Sequence, residues 1–171
     1  MASILIDGYN LIGIAHKDID KARNSLIDNL SEYSRKRHHN ITVVFDGWRN
    51  GRAEETITWR GGIRVIYSRI GEKADNVIMR LVLNEKRQWI VISSDREIAD
   101  FVTSQGLVSI RVEEFEEKLY RAVQDYDEED IKRPEYNYKD EEGDYAIPCR
   151  KGPSRRLSKR DKKRLQALKK L

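Results

Sequence analysis

Three short apolar runs lead into aspartate. Residues 3–6 run into Asp7, residues 41–45 into Asp46, and residues 89–93 reach Asp95 just after Ser94. A fourth carboxylate, Asp75, opens the amphipathic segment after another such run, with Glu72 close before it. In an open parallel sheet, sites form outside the carboxyl ends of the strands, which is where these groups would gather. Carboxylates that converge repel one another and are costly unless something neutralises them. A hard divalent cation does so. Magnesium prefers oxygen ligands and keeps several waters, leaving room for a substrate phosphate. Such a centre supports phosphodiester hydrolysis by polarising the phosphoryl group, generating hydroxide from bound water and stabilising the leaving oxygen. Asn10, in the turn after Asp7, carries an amide able to orient a ligand or a phosphate. The structural alternative is that an aspartate between a strand and a helix only caps the helix. Each aspartate alone fits that reading better, and only the four together weigh toward a site. The pattern by itself leaves both readings open.

Other α/β chemistries are tested by the residues present. The sequence contains no G-x-x-x-x-G-K-[ST] phosphate loop, and Gly8 and Gly13 lack the spacing of a dinucleotide-binding turn. The third residue of an Asp-x-Asp phosphatase pattern starting at Asp7 would be Tyr9, and no G-x-S-x-G elbow occurs. His16, His38 and His39 end no strand and are expected at the surface. Metal-assisted phosphodiester cleavage survives this elimination.

The elements that must position these groups are read from periodicity. Strands are expected over 3–6, 41–45, 63–67, 89–93 and 108–110. Ile19, Ala22, Leu26, Ile27, Leu30 and Tyr33 recur at helical spacing, as do Ala74, Val77, Ile78, Leu81 and Val82. Residues 96–105 form a shorter helix stopped at Gly106, and Val112, Phe115, Leu119, Ala122 and Val123 mark another. Residues 47–62 read as a polar, glycine-bearing loop. Strands alternating with helices imply crossovers and a parallel sheet. The expected fold is therefore α/β, an open, doubly wound, mainly parallel five-stranded sheet with helices on both faces and a charged C-terminal extension.

Charge divides the chain further. Residues 1–123 form the expected domain, 124–149 an acidic linker and 150–171 a basic tail. Residues 150–171 hold 11 lysines and arginines against one acidic residue, Asp161, within an overall net charge of +4. So basic a block suits a polyanionic partner, although a tail that only aids solubility has the same composition. Ser158 and Asp161 look like a helix start, and Leu165, Leu168 and Leu171 give a narrow apolar stripe, so the tail reads as a basic helix. The single cysteine, Cys149, excludes a disulfide within one chain and fits a reducing compartment. No secretory signal or membrane-length apolar stretch is present, so a cytoplasmic protein without a membrane partner is expected.

RNA contacts are expected where arginine sits near aromatic rings, since guanidinium meets phosphate while indole stacks on bases. Trp48, Arg49 and Arg52 supply this in the 47–62 loop; Trp59 is equally suited to capping the core, and Trp89 is expected inside it. Arg69, Lys73 and Arg96 flank the acidic groups, either to hold phosphates or to pair with carboxylates. In the tail, Arg155, Arg156, Lys159, Arg160, Lys162, Lys163 and Arg164 are the candidate phosphate contacts.

Four ordered segments, IDGYNLI (6–12), VVFDG (43–47), EKADNVI (72–78) and SSDREIADF (93–101), together resemble the YacP-like NYN domain family of the PIN-like nuclease superfamily. The resemblance covers about residues 1–123. It implies a PIN-like three-layer sandwich and an endoribonuclease using magnesium or manganese. The family's acidic residues carry over onto Asp7, Asp75 and Asp95, and also onto Asp46, with Asn10 beside them; Glu72 and Asp100 are second-tier candidates. Some YacP-like proteins act on messenger RNA at the ribosome, which makes RNA and the ribosome the implied partners. Two alternatives stand beside this reading. One is a noncatalytic RNA- or ribosome-binding module that keeps the fold. The other is a DNA-directed flap-type nuclease, for which the sequence offers no helical arch or helix-hairpin-helix clamp.

Overall fold

Along the central strands, neighbouring side chains point to opposite faces, and both faces are apolar. The computed structural model describes residues 1–13, 18–47, 53–124 and 158–171. Its strands are β1 (Ser3–Asp7), β2 (Asn40–Phe45), β3 (Thr56–Arg60), β4 (Ile63–Tyr67), β5 (Trp89–Ile92) and β6 (Val108–Ile110). They form one sheet in the order β3-β4-β2-β1-β5-β6. β4, β2, β1, β5 and β6 run parallel, and β3 pairs antiparallel to β4 at one edge. The helices are α1 (Gly8–Ile12), α2 (Ile19–Arg37), α3 (Ala74–Asn84), α4 (Arg96–Ser104), α5 (Val112–Val123) and α6 (Lys159–Lys170).

The period-two alternation of a strand divides the interior in two. Ile4, Ile6, Val43, Phe45, Ile90 and Ile92 pack with α2 and α5 through Leu30, Tyr33 and Phe115. Leu5, Val44, Ile66 and Val91 pack with α3 and α4 through Val77, Ile78, Ile98 and Val102. Strands buried on both faces read as unbroken apolar runs, which is why they stand out in the sequence. The result is the expected α/β fold: three layers around an open, mainly parallel sheet.

The sheet has one strand more than expected. Residues 56–60, read as loop, form β3, with Thr56, Ile57, Thr58 and Trp59 paired to β4. Gly61 and Gly62 both take positive φ, 57° and 85°, as a two-residue hairpin turn requires. A Gly-Gly pair between two β-branched runs is the signal that was available. β3 is an edge strand with little beneath it, so Trp59 is 72% exposed, whereas Trp89 is buried in the core. His39, expected at the surface, is buried, and its Nδ1 accepts the Ala2 backbone N–H.

The basic tail helix is docked. α6 starts at Ser158, whose Oγ accepts the Asp161 backbone N–H at 3.1 Å. Ala167 and Leu171 join the α2–α5 core, and the Leu171 carbonyl accepts the Tyr33 hydroxyl at 2.6 Å. Arg164 forms an ion pair with Glu114. The inward face is thus Arg164, Ala167, Leu168 and Leu171, and Leu165 of the expected stripe is exposed. His16, Cys149, most of the acidic linker, and Trp48, Arg49, Arg52, Arg155 and Arg156 lie outside the described residues.

Candidate active site

β1, β2 and β5 stand side by side, and their carboxyl ends meet at one edge of the sheet. From β1 the chain builds outward through β2 to β4, then returns to lay β5 against the other side of β1. The crevice at such a reversal is where open α/β sheets bind ligands. Asp7, Asp46 and Asp95 sit at or just beyond the ends of these three strands, and Asp75 is the second residue of α3.

Asp7 is the most enclosed, with 6% of its surface exposed. Its carboxylate caps α1 by accepting the Asn10 backbone N–H at 3.2 Å, and it also accepts the Asn10 Nδ2 amide at 3.1 Å. The same Nδ2 donates to Ser93 Oγ at 3.0 Å, and Ser93 Oγ accepts the Asp95 backbone N–H at 3.1 Å. Asn10 and the buried Ser93 thus tie the end of β1 to the end of β5. Asp95 caps α4 through Oδ1, which accepts the backbone N–H groups of Glu97 at 2.6 Å and Ile98 at 3.4 Å. Asp46 reaches from the end of β2 to cap α3, its Oδ1 accepting the Ala74 N–H. Ser68 holds that turn by accepting the Gly47 N–H at 2.9 Å. The capping and site readings are therefore compatible. Asp46 and Asp95 cap with Oδ1 and keep Oδ2 outside these bonds.

The electrostatics show the proximity. Burial pushes the Asp7 carboxyl up to about 6; Asn10 pulls against this, and Asp75 and Asp46 add to it by repulsion. Burial also raises Asp75, helped by the negative charges of Asp95 and Asp46 and opposed by Lys73. All four aspartates lie in one field, short of positive charge. Among the described residues, no three His, Cys, Asp or Glu side chains stand close enough to form a ready-made metal cage.

The remaining candidates separate clearly. Glu72 is held between Arg80 at 2.6 Å and Arg69 at 3.3 Å, so Arg69 serves a carboxylate as well. Arg80 also pairs with Glu55. Asp100 is exposed on α4, 3.9 Å from Arg96, which is more exposed still. Lys73 precedes α3 and is the cation beside Asp75. Lys159, Arg160, Lys163 and Arg164 of α6 line a cleft that begins at Ser93, Ser94 and Asp95, and Lys162 does not. Ser93 and Ser68, which are not among the residues expected from the sequence, are positioning residues. The Ser93–Ser94 pair before Asp95 was the available signal for the first, because a hydroxyl at a strand end commonly bonds a turn.

Comparison with known proteins agrees with this arrangement. Two solved structures of Rae1 (YacP) from Bacillus subtilis, one a tryptophan-to-leucine variant, are each 26% identical to this chain with a TM-score of 0.59. Each match covers 73% of this chain and, respectively, 77% and 79% of the wild-type and variant chains. No curated protein matches the chain. The model of the YacP-like NYN domain matches residues 4–170, from β1 to the end of α6 and so well beyond the four segments that first carried the resemblance. The chain belongs to the YacP-like NYN domain family.

Proposed function

We propose that this chain is a metal-dependent endoribonuclease that hydrolyses phosphodiester bonds of single-stranded RNA. Family membership carries a nuclease- and RNA-related role. The observation that carries the finer reading is the enclosed Asp7 at the sheet's reversal point, with its carboxyl raised to about 6 and Asp46, Asp75 and Asp95 in the same field. A carboxylate kept in so unfavourable a place is the usual mark of a functional site.

The donor set fits magnesium or manganese. It is all hard oxygen, and among the described residues Asp7 has no lysine or arginine partner. The set suits an ion that keeps several of its waters. Asp7, Asp75, Asp95 and Asp46 are the residues that would hold it. When bound, the ion supplies charge stabilisation and a more acidic water. The protein's part is orientation. Asn10 fixes the plane of the Asp7 carboxylate, Ser93 fixes Asn10 and the turn into Asp95, and the Asp46 cap fixes the start of α3. Lys73 and Arg96 are the nearby cations for the phosphates around the scissile bond, and Trp48, Arg49 and Arg52 are proposed as RNA contacts from their residue types alone. A cytoplasmic location is proposed from the sequence, and messenger RNA on the ribosome is the substrate that the family resemblance suggests. Co-sedimentation of the chain with ribosomes tests the latter.

The test is cleavage of labelled single-stranded RNA with manganese or magnesium, beside an EDTA control and the Asp95→Asn variant. Asparagine caps a helix as well as aspartate, so α4 is kept. Cleavage by the wild type alone, abolished by EDTA, is the expected result. The second reading is a noncatalytic RNA-binding module, and the retention of Asp7, Asp46, Asp75 and Asp95 counts against it. Intact RNA in every lane, with binding retained, would establish that instead. Cleavage of a DNA flap in place of RNA would favour the flap-type nuclease.

A further inference from the structure

The basic helix does more than add charge. Between α4 and β6 on one side and α6 on the other lies a cleft of about 770 Å³. One end opens at Ser93, Ser94 and Asp95, the β5 arm of the acidic centre, and the walls carry Arg96, Arg111 and the α6 cations together with the carboxylates Asp100 and Asp161. The helix is fixed by its inward face: Arg164 pairs with Glu114, Ala167 and Leu171 enter the core, and the Leu171 carbonyl accepts the Tyr33 hydroxyl. That anchoring turns Lys159, Arg160 and Lys163 toward the cleft. Among the described residues, Lys159 and Arg160 form no ion pair. The nearby Asp161 is engaged with Ser158 at 2.7 Å, and Lys163 makes a contact of 3.4 Å to the Gly106 carbonyl. Lys162 and Lys169 lie on the other side of the helix and do not line the cleft.

We propose that this cleft is a substrate subsite that takes the phosphodiester backbone of single-stranded RNA on one side of the scissile bond and leads it to Asp95. The inference deepens the endoribonuclease reading and rests on it. Three features point to a nucleic-acid backbone rather than a protein segment. The cleft is continuous with a centre suited to phosphodiester chemistry, its lining cations outnumber its carboxylates six to three, and four of those cations sit on the docked α6. A strand held this way gains affinity by releasing counterions, about 0.7 per phosphate for single strands.

The test compares two variants of the full chain with equal charge change. Lys159→Glu with Lys163→Glu reverses charge inside the cleft, and Lys162→Glu with Lys169→Glu reverses it outside. Binding of a labelled single-stranded RNA is read by fluorescence anisotropy in EDTA across a salt series, after thermal melts confirm that both variants fold. The cleft pair is expected to lose at least about tenfold in affinity, and its salt slope to flatten by about 1.4 in log–log terms. The outer pair is expected to change affinity less than about threefold. With metal added, the cleft pair should raise KM for long RNA and leave kcat unchanged, and a dinucleotide too short to reach α6 should be cleaved as by the wild type. Equal losses for both pairs, or no loss for either, would overturn the proposal. The nuclease reading fails separately: it falls if the wild type binds RNA in this pattern and cleaves none.

Discussion

At the scale of the residue, Asp7 concentrates the argument. It is an acid whose folded-state pKa is raised, the reverse of the common salt-bridged carboxylate, so folding favours its protonated form. Its penalty is absent below the unfolded value of 3.8 and grows as pH rises through about 6. Above that it costs on the order of 3 kcal/mol. Asp7→Asn keeps the α1 cap and an acceptor for Asn10 and removes the charge. It is therefore expected to raise stability at pH 7–8 by up to about that amount and to leave stability unchanged near pH 4. Urea melts of both proteins at the two pH values check this; equal differences at both would show that burial of the charge is not the cause. Ser93 is a positioning residue of the opposite kind. Ser93→Ala removes the acceptor shared by Asn10 and Asp95. It is expected to lower kcat about 10–100-fold, as loss of groups that orient metal-site residues does, with a stability cost of only about 1–2 kcal/mol. A kcat within twofold of the wild type would remove Ser93 from the account.

At the scale of the element, two close fits position the site. A Cβ added at Gly8 would overlap the Phe45 ring, and Phe45 is fully buried. Gly8→Ala is therefore expected to destabilise by about 1–3 kcal/mol through overpacking and to displace the Asp7–Asn10 turn, which thermal melts and cleavage rates would show together. α6 is the other fit. Leu171→Ala is expected to cost about 2 kcal/mol, so that deleting the tail would disturb the core as well as any RNA contact. A melt unchanged by Leu171→Ala would mean that α6 is not anchored as described. How far the sequence reveals this fold follows from the same physics. The parallel strands and α2 to α5 were legible because burial on both sheet faces leaves unbroken apolar runs, and helices with one buried face leave a 3.6-residue stripe. β3 was not, because an exposed edge strand such as 56–60 has no buried face to mark it, and only Gly61 and Gly62 betray the hairpin. The four aspartates were legible from their places at strand and helix ends. Their connection through Ser93 was not, since a contact between residues 83 positions apart leaves no local pattern.

At the scale of the whole molecule, an acidic sheet edge and a basic helix lie side by side. The aspartates gather at the sheet's reversal point, and the cations of α6 begin where Asp95 ends. On the proposed reading, this arrangement would draw a polyanion along one side and leave the reacting edge to a cation. Among the described residues, no helix is long and apolar enough to cross a membrane. If the acidic centre takes a divalent ion, ligand binding stabilises the folded state by mass action. Manganese at about 100 times its Kd is expected to add roughly 2.7 kcal/mol to the wild type and much less to Asp7→Asn, as read by thermal shift. Equal shifts would place the ion elsewhere. The most direct test of the central claim is cleavage of labelled single-stranded RNA by Asp7→Asn beside the wild type, in manganese. The expected result is a variant that is folded and at least as stable, still binds RNA, and cleaves at least about 100-fold more slowly, as loss of a group stabilising the transition state does. Cleavage by the variant at the wild-type rate would contradict the central claim.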